Sequence, residues 1–211
     1  MPVLAVDTEF LREKTYYPKL CLVQVSTGEE IAAIDPLSID DLSPLVRLFE
    51  DQKIVKVIHA CSQDLEVLLY GMHCACAPVF DTQLAAAFLG MRQQASYASV
   101  VEHYMGVHLP KAESLTDWSR RPLDPEQLVY AEDDVRYLPD IYRCMYERLM
   151  KTNRLGWLMP EMNAYTAPEN FKRDPKEAYL HLKRSNSLTR RQMALAREIC
   201  AWREERAAQH N

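Results

Sequence analysis

The chain opens on short apolar runs rich in β-branched residues and moves progressively into helical periodicities. Residues 2–7, Leu20–Ser26 and Ile31–Asp35 read as strands, with turn chemistry at Thr27-Gly28 and Asp35-Pro36, and such short connections predict an antiparallel meander. A helix over residues 41–50, a short buried strand over Ile54–Ile58 and a helix over Ser62–Tyr70 follow. The order strand, helix, strand requires at least one parallel crossover, so the sheet is predicted to be mixed. Further helices are expected over Asp81–Leu89, ending near Gly90, and over Ala95–Tyr104, closed by Gly106. Residues 107–123 are rich in Pro, Ser and Arg and predict irregular structure. A long helix then begins with Asp124 as N-cap and Pro125 at its first position. Its apolar residues Leu128, Ala131, Val135, Leu138, Ile141, Met145 and Leu149 recur at helical spacing, with a kink expected at Pro139. From Lys151 to Asp174 the chain is punctuated by prolines and has little periodicity, which predicts a linker extending over residues 151–185. The last segment, Leu188–Ala208, reads as a helix opening at Thr189, and its Leu195, Ile199 and Trp202 require an apolar partner.

At 211 residues and 48% hydrophobic content the chain can bury a sizeable core. Its net charge of -5 excludes a protein that coats nucleic acid by charge alone, yet the charge is unevenly placed. Residues 1–150 hold 13 basic against 23 acidic residues, and the remainder holds 12 against 7. A metal-dependent site acting on a polyanion gripped by a basic tail would produce this asymmetry, and so would a solvated helical tail. The six cysteines (Cys21, Cys61, Cys74, Cys76, Cys144 and Cys200) contain no C-x-x-C pair, which predicts reduced, mostly buried thiols and a cytoplasmic protein. No signal peptide or long apolar span is expected, hence no membrane partner.

Charge in an unusual place marks the candidate chemistry. Asp7-Thr8-Glu9-Phe10 follows the apolar run Val3–Val6, and side chains two apart on a strand share a face. Two carboxylates therefore converge at the end of a buried strand, where burial without a partner is costly and a divalent cation is the usual remedy. Asp64 falls in the first turn of a helix, where it could equally serve the helix dipole. In Tyr130-Ala131-Glu132-Asp133-Asp134, three successive acids would ordinarily form a solvated face, but Asp134 stands four residues after Tyr130 and shares its side of the helix.

In order and spacing, "DTEF", "HACSQD" and "YAEDD" resemble the three exonuclease motifs of the DEDD superfamily, and the Y-x-x-x-D form of the third resembles its Tyr subclass. Within that group, "DTEFLREKTYYPKLCLVQV" and "LPKAESLTDWSRRPL" resemble the ribonuclease D family over Val3 to about Leu149. The terminal "LTRRQMALAREICAWREERA" is similar to the first helix of the helical nucleic-acid-binding (HRDC) domains that follow the nuclease in that family. The resemblance implies an RNase H-like α/β fold: a mixed sheet flanked by helices, then a helical C-terminal segment. The implied division is an exonuclease domain over 1–150, a linker over 151–185 and the start of a helical domain over 186–211. The family usually carries a strand and a helix ahead of "DTEF" and further helices at the end, so the resemblance also implies a chain shortened at both ends.

The activity so implied is 3′-to-5′ exoribonuclease action on RNA 3′ ends, transfer RNA precursors and small structured RNAs among them, releasing nucleoside 5′-monophosphates. Four carboxylates can hold two divalent cations about 4 Å apart, and oxygen-only ligands suit Mg²⁺ or Mn²⁺; no other small-molecule cofactor is implied. By resemblance, Asp7, Glu9 and Asp134 hold the cation nearest the attacking water, Asp7 also reaches the second, and Asp64 acts through bound water. Tyr130 would orient the nucleophile. Thr8 and Phe10 resemble the residues that receive the terminal nucleotide, although core packing explains Phe10 as well. Tyr17, beside Tyr16, Arg12, Lys14 and Lys19, suits a single-stranded backbone and stacked bases, and a solvated hairpin loop would explain the same mix. Lys111, with Arg120 and Arg121, forms a second basic group near the last motif. His59 could contact phosphate, or serve as a satisfied structural histidine. A DNA exonuclease would share every one of these catalytic residues, and a non-cleaving nucleic-acid-binding module is expected to have lost at least one.

Overall fold

The computed structural model describes residues 1–12, 15–110 and 116–210. Its sheet has five strands: β1 (Val3–Leu11), β2 (Lys19–Ser26), β3 (Ile31–Ile34), β4 (Val55–Ile58) and β5 (Val79–Asp81), in the spatial order β3-β2-β1-β4-β5. β1 pairs antiparallel with β2 and β2 with β3, while β1/β4 and β4/β5 are parallel. This is the mixed sheet expected from the meander and the crossover, with helices on both faces, and it has the RNase H-like architecture. Gly28, with φ +93°, takes the left-handed conformation that the β2–β3 turn demands.

The helices α1 (Ser43–Glu50), α2 (Ser62–Met72), α3 (Thr82–Phe88) and α4 (Tyr97–Met105) fall within a few residues of their sequence expectations. β5 does not, because a three-residue strand offers almost no periodicity. Asp81 ends it and caps α3, accepting hydrogen bonds from the Gln83 and Leu84 amides. The long helix is divided into α5 (Pro125–Arg136) and α6 (Leu138–Lys151), which meet at Tyr137, just before Pro139. Its start carries the expected cap, reinforced by a reciprocal bond between Gln127 and Asp124.

Two cores lie on opposite faces of the sheet. One joins Ala5, Val57 and Phe80 to Val135, Leu138, Ile141, Met145 and Leu149; the other joins Leu4, Val6, Val23 and Ile58 to Phe49, Leu65 and Leu68. β1 therefore sends alternate residues into each.

The expectation of a linker beyond Lys151 is corrected. Residues Leu155–Tyr165 form a helix, α7, whose Leu158 and Met162 are fully buried in the first core. Its low periodicity reflects Gly156 and Pro160 within the helix, not exposure. Short 3₁₀ turns at Pro168–Phe171, Pro175–His181 and Ser185–Ser187 lead to α8 (Arg190–Gln209), which packs along Pro175–His181. The face of α8 turned inward carries Cys200, whereas Leu195, Ile199 and Trp202 stay exposed. The apolar partner expected for these three is not found among the described residues, and this packing uses the Cys200 face instead.

Arg121 was expected in a basic group near the last motif; instead its guanidinium is spent on the fold. It donates twice to Asp35 at 2.6 Å and to the carbonyls of Cys21 and Trp118 at 2.8 Å. These bonds hold the Asp35 carboxyl well below the usual carboxylate range and tie the segment before α5 to the sheet.

Two substitutions test this packing. Leu158→Ala should lower unfolding free energy by about 2–5 kcal/mol in urea titration, whereas a surface linker residue would tolerate it. Arg121→Met should cost about 1.5–3 kcal/mol by the same measurement.

Candidate active site

β1 is the central strand; pairing with β4 anchors it over Val3–Ala5, and pairing with β2 continues through Asp7 and Glu9 and fixes where they point. Both project to the α5 side, and α5 supplies Asp134. Carboxylate oxygens of Asp7, Glu9 and Asp134 lie within 4.8 Å of one another. The three-acid run on α5 divides its labour. Glu132 and Asp133 pair with Arg136 at 2.9 and 3.0 Å on the outer face, which leaves Asp134 turned toward β1. Tyr130, one turn earlier, hydrogen-bonds the Asp134 carboxylate as the i, i+4 spacing anticipated.

Asp64 reaches the cluster from the opposite side of the sheet edge. It is buried, and Thr8 Oγ1 donates to its Oδ1 at 2.5 Å. Thr8 is itself buried, so its side chain positions Asp64 and does not present a hydroxyl to solvent. The sequence reading missed Asp81. This buried carboxylate accepts from the amides of Ala60 and Cys61 and fixes the turn that starts α2, and hence the placement of Asp64. An aspartate closing an apolar run ahead of a helix was the available signal.

Charge crowding dominates the electrostatics. Burial, then Asp64, Asp134 and Glu9, push the Asp7 carboxyl well above its ordinary value. Burial and then Asp134 and Asp64 raise Glu9 to about 8. Burial raises Asp64 to about 7 against the opposing Thr8 bond, and burial raises Asp134 to about 6 against the Tyr130 bond. Burial and the neighbouring carboxylates push the Tyr130 phenol up, so it remains a donor at neutral pH. An all-oxygen set of mutually repelling carboxylates fits a hard divalent cation such as Mg²⁺ or Mn²⁺.

The expected substrate contacts fare unevenly. Phe10 is half-buried and packs against the α2-side core. Tyr17 is stacked on Tyr70, with centroids 4.3 Å apart and an interplanar angle of 28°, and meets Tyr16 edge-on. His59 is corrected as a phosphate contact. Its Nδ1 bonds Thr82 Oγ1 at 2.9 Å and its Nε2 bonds the Ala95 carbonyl at 3.0 Å, so both ring nitrogens are committed to joining β4 to α3 and the start of α4. Lys111 and Lys14 lie outside the described residues. A cleft of about 750 Å³ runs from Tyr130 and Asp134 past Trp118 and Gln127 to Leu109 and Pro110.

Each carboxyl with a raised pKa holds a proton in the folded chain that the unfolded chain has already released. Stability from this source is full below the ordinary carboxylate range and is lost as pH rises through about 6 to 8. In chelator, Tm should therefore fall between about pH 5.5 and 8.5, and Mg²⁺, which favours the ionised carboxylates, should restore it most at the alkaline end. A chelated Tm that stays level across this window would contradict the crowding.

Residues 1–150 match the 3′-5′ exonuclease family. The chain is 44% identical to ribonuclease D of Pseudomonas paraeruginosa over 210 residues, covering all of this chain and 56% of that protein. It is 41% identical to ribonuclease D of Granulibacter bethesdensis, covering 53% of it. The chain thus spans little more than half the length of these relatives. Among solved structures, Escherichia coli RNase D superposes with a TM-score of 0.93 at 38% identity, over 99% of this chain and 56% of that one. The catalytic core of RRP6 from Trypanosoma brucei superposes at 0.76 with 28% identity, over 99% and 59%. With an RNase H-like sheet, acids converging from β1 and α5, and a match over its first 150 residues, the chain belongs to the 3′-5′ exonuclease family.

Proposed function

We propose that the chain forms the nuclease part of a metal-dependent 3′-to-5′ exoribonuclease that removes nucleoside 5′-monophosphates from RNA 3′ ends. The observation that carries this reading is the meeting of the Asp7, Glu9 and Asp134 carboxylates within 4.8 Å, beside the Tyr130 phenol. Asp7, Glu9 and Asp134 would hold one divalent cation, with Asp7 and Asp64 turned toward a second. Two such cations, Mg²⁺ or Mn²⁺, supply charge neutralisation at the scissile phosphate and activation of water for in-line displacement.

The chain's own residues do the rest. Thr8 holds Asp64 in place through its 2.5 Å bond. Tyr130 keeps its proton at neutral pH and offers it as a hydrogen bond, so it orients the nucleophilic water and does not act as the base. The cleft beside Tyr130 and Trp118 has room for the terminal nucleotides of a single strand. RNA is favoured as substrate because relatives 44% and 41% identical to this chain carry the name ribonuclease D, and Escherichia coli RNase D is described as an exoribonuclease involved in structured RNA processing. Transfer RNA precursors and other structured RNAs with unpaired 3′ tails are the substrates this implies, in the cytoplasm, where the free cysteines would stay reduced. Among the described residues no helix is long and apolar enough to cross a membrane.

Incubation with 5′-labelled single-stranded RNA and with its DNA counterpart, in Mg²⁺, Mn²⁺ or chelator, tests the proposal. A metal-dependent ladder shortening RNA one nucleotide at a time from the 3′ end is expected; preference for DNA, or binding without cleavage, would overturn it. Asp7→Asn and Asp134→Asn should abolish hydrolysis while the far-ultraviolet circular dichroism stays native. Tyr130→Phe should slow single-turnover cleavage on the order of 10²-fold and leave RNA affinity nearly unchanged, and the reverse pattern would exclude the orienting role.

A further inference from the structure

Gln24 is fully buried, and neither the oxygen nor the nitrogen of its side-chain amide has a hydrogen-bond partner among the described residues. An amide sealed from water without a partner is costly, and apolar side chains of similar size would fill the position without that cost. What surrounds it indicates what the amide is for. β2 lies antiparallel to β1 with Gln24 directly opposite Asp7 and Leu22 opposite Glu9. Directly opposed residues in an antiparallel pair project to the same face, with Cβ atoms about 4.5–5.5 Å apart. Gln24 therefore shares the face of the acidic cluster, beneath α5. Consistently, Leu22, two residues before it, shares a buried cluster with Ala131 of α5, against which Tyr130 also packs. On its other side β3 opposes it with Ala33, which offers no side-chain partner. Of the residues facing or diagonal to Gln24 on β1, the polar ones are Asp7 and Glu9, and Asp7 is the one directly across.

We propose that Gln24 is a positioning residue of the metal centre, donating an Nε2–H hydrogen bond to the Asp7 carboxylate when divalent cations are bound. This rests on the proposed metal site and adds to it a residue outside the acidic motifs. An ionised Asp7 that ligates cations has lone pairs left over, and a neutral amide can fill one without adding charge to a crowded cluster. Glutamine fits this task better than lysine or arginine, because a full positive charge at that spot would compete with the cations for the same carboxylates.

Binding of Mn²⁺ measured by calorimetry on the whole chain, with thermal melts in chelator and in Mn²⁺, tests the assignment. Gln24→Met removes the amide and keeps the volume. It should melt in chelator at or above the parent temperature, bind Mn²⁺ about 10-fold or more weakly, and lose most of the Mn²⁺-induced rise in Tm. Gln24→Asn, which keeps a shorter amide, should fall between the two. Should Gln24→Met not fold, selective ¹⁵N labelling of glutamine in the parent chain gives the answer: Mg²⁺ should shift the Gln24 side-chain resonance, and Asp7→Asn should abolish that shift. Unchanged Mn²⁺ affinity in Gln24→Met, alongside its loss in Asp7→Asn, would overturn the role of Gln24 and leave the metal centre intact. A parent chain that binds no Mn²⁺ would overturn both.

Discussion

The structure depends on holding like charges together. Asp7, Glu9 and Asp134 are held within 4.8 Å of one another with Asp64 close behind, partly or wholly removed from water, and nothing in their own chemistry favours that. What fixes them is the sheet. β1 is bonded on one side to β2 and on the other to β4, and its remaining residues are anchored in both cores. A central strand has the least freedom to relieve repulsion by moving. α5 is held just as firmly, because Ala131 and Val135 are fully buried beside the turn that carries Asp134. Burial thus supplies the stability that the charges oppose, and that opposition is what suits the cluster to a divalent cation.

A second set of interactions joins segments far apart in the chain. Arg12 at the end of β1 pairs with Glu66 of α2, which also receives Arg173 at 2.6 Å. Arg173 lies over the Tyr16 ring, and the Tyr16 hydroxyl donates to Glu204 of α8 at 2.5 Å. Through these contacts the C-terminal basic segment is joined to the β1–β2 hairpin. Part of its positive charge is consumed locally, by Glu66 for Arg173, Glu198 for Arg197 and Glu204 for Arg203. Of these pairs only Arg173–Glu66 draws on the segment's excess positive charge, because Glu198 and Glu204 are already counted within it.

The clustered carboxylates stood out in the sequence for a simple physical reason. Acids at the end of an apolar strand and on the inner side of a helix are costly unless they do something, so their presence at i, i+2 and at i, i+4 from a tyrosine is informative. His59, Arg121 and Tyr17 were not legible in the same way. A histidine, an arginine or a tyrosine in a loop suits substrate and scaffold equally, and only their partners distinguish the two. His59 bonds Thr82 and Ala95, Arg121 grips Asp35 and two carbonyls, and Tyr17 stacks on Tyr70. α7 escaped notice because Gly156 and Pro160 blur its periodicity, and β5 because three residues have none to show.

By itself the sequence determined the strands and helices long enough to carry a period, their caps at Asp124 and Thr189, and the residue types of the acidic cluster. These follow from local rules: side-chain spacing, capping chemistry and the cost of misplaced charge. Only the tertiary structure decided that Asp81 places Asp64, that residues 155–165 belong to the core, and that Gln24 lies opposite Asp7. Each of those depends on register or packing between segments far apart in the chain. A one-residue slip in the pairing of β1 and β2 would turn Gln24 to the other face of the sheet without changing a letter of the sequence.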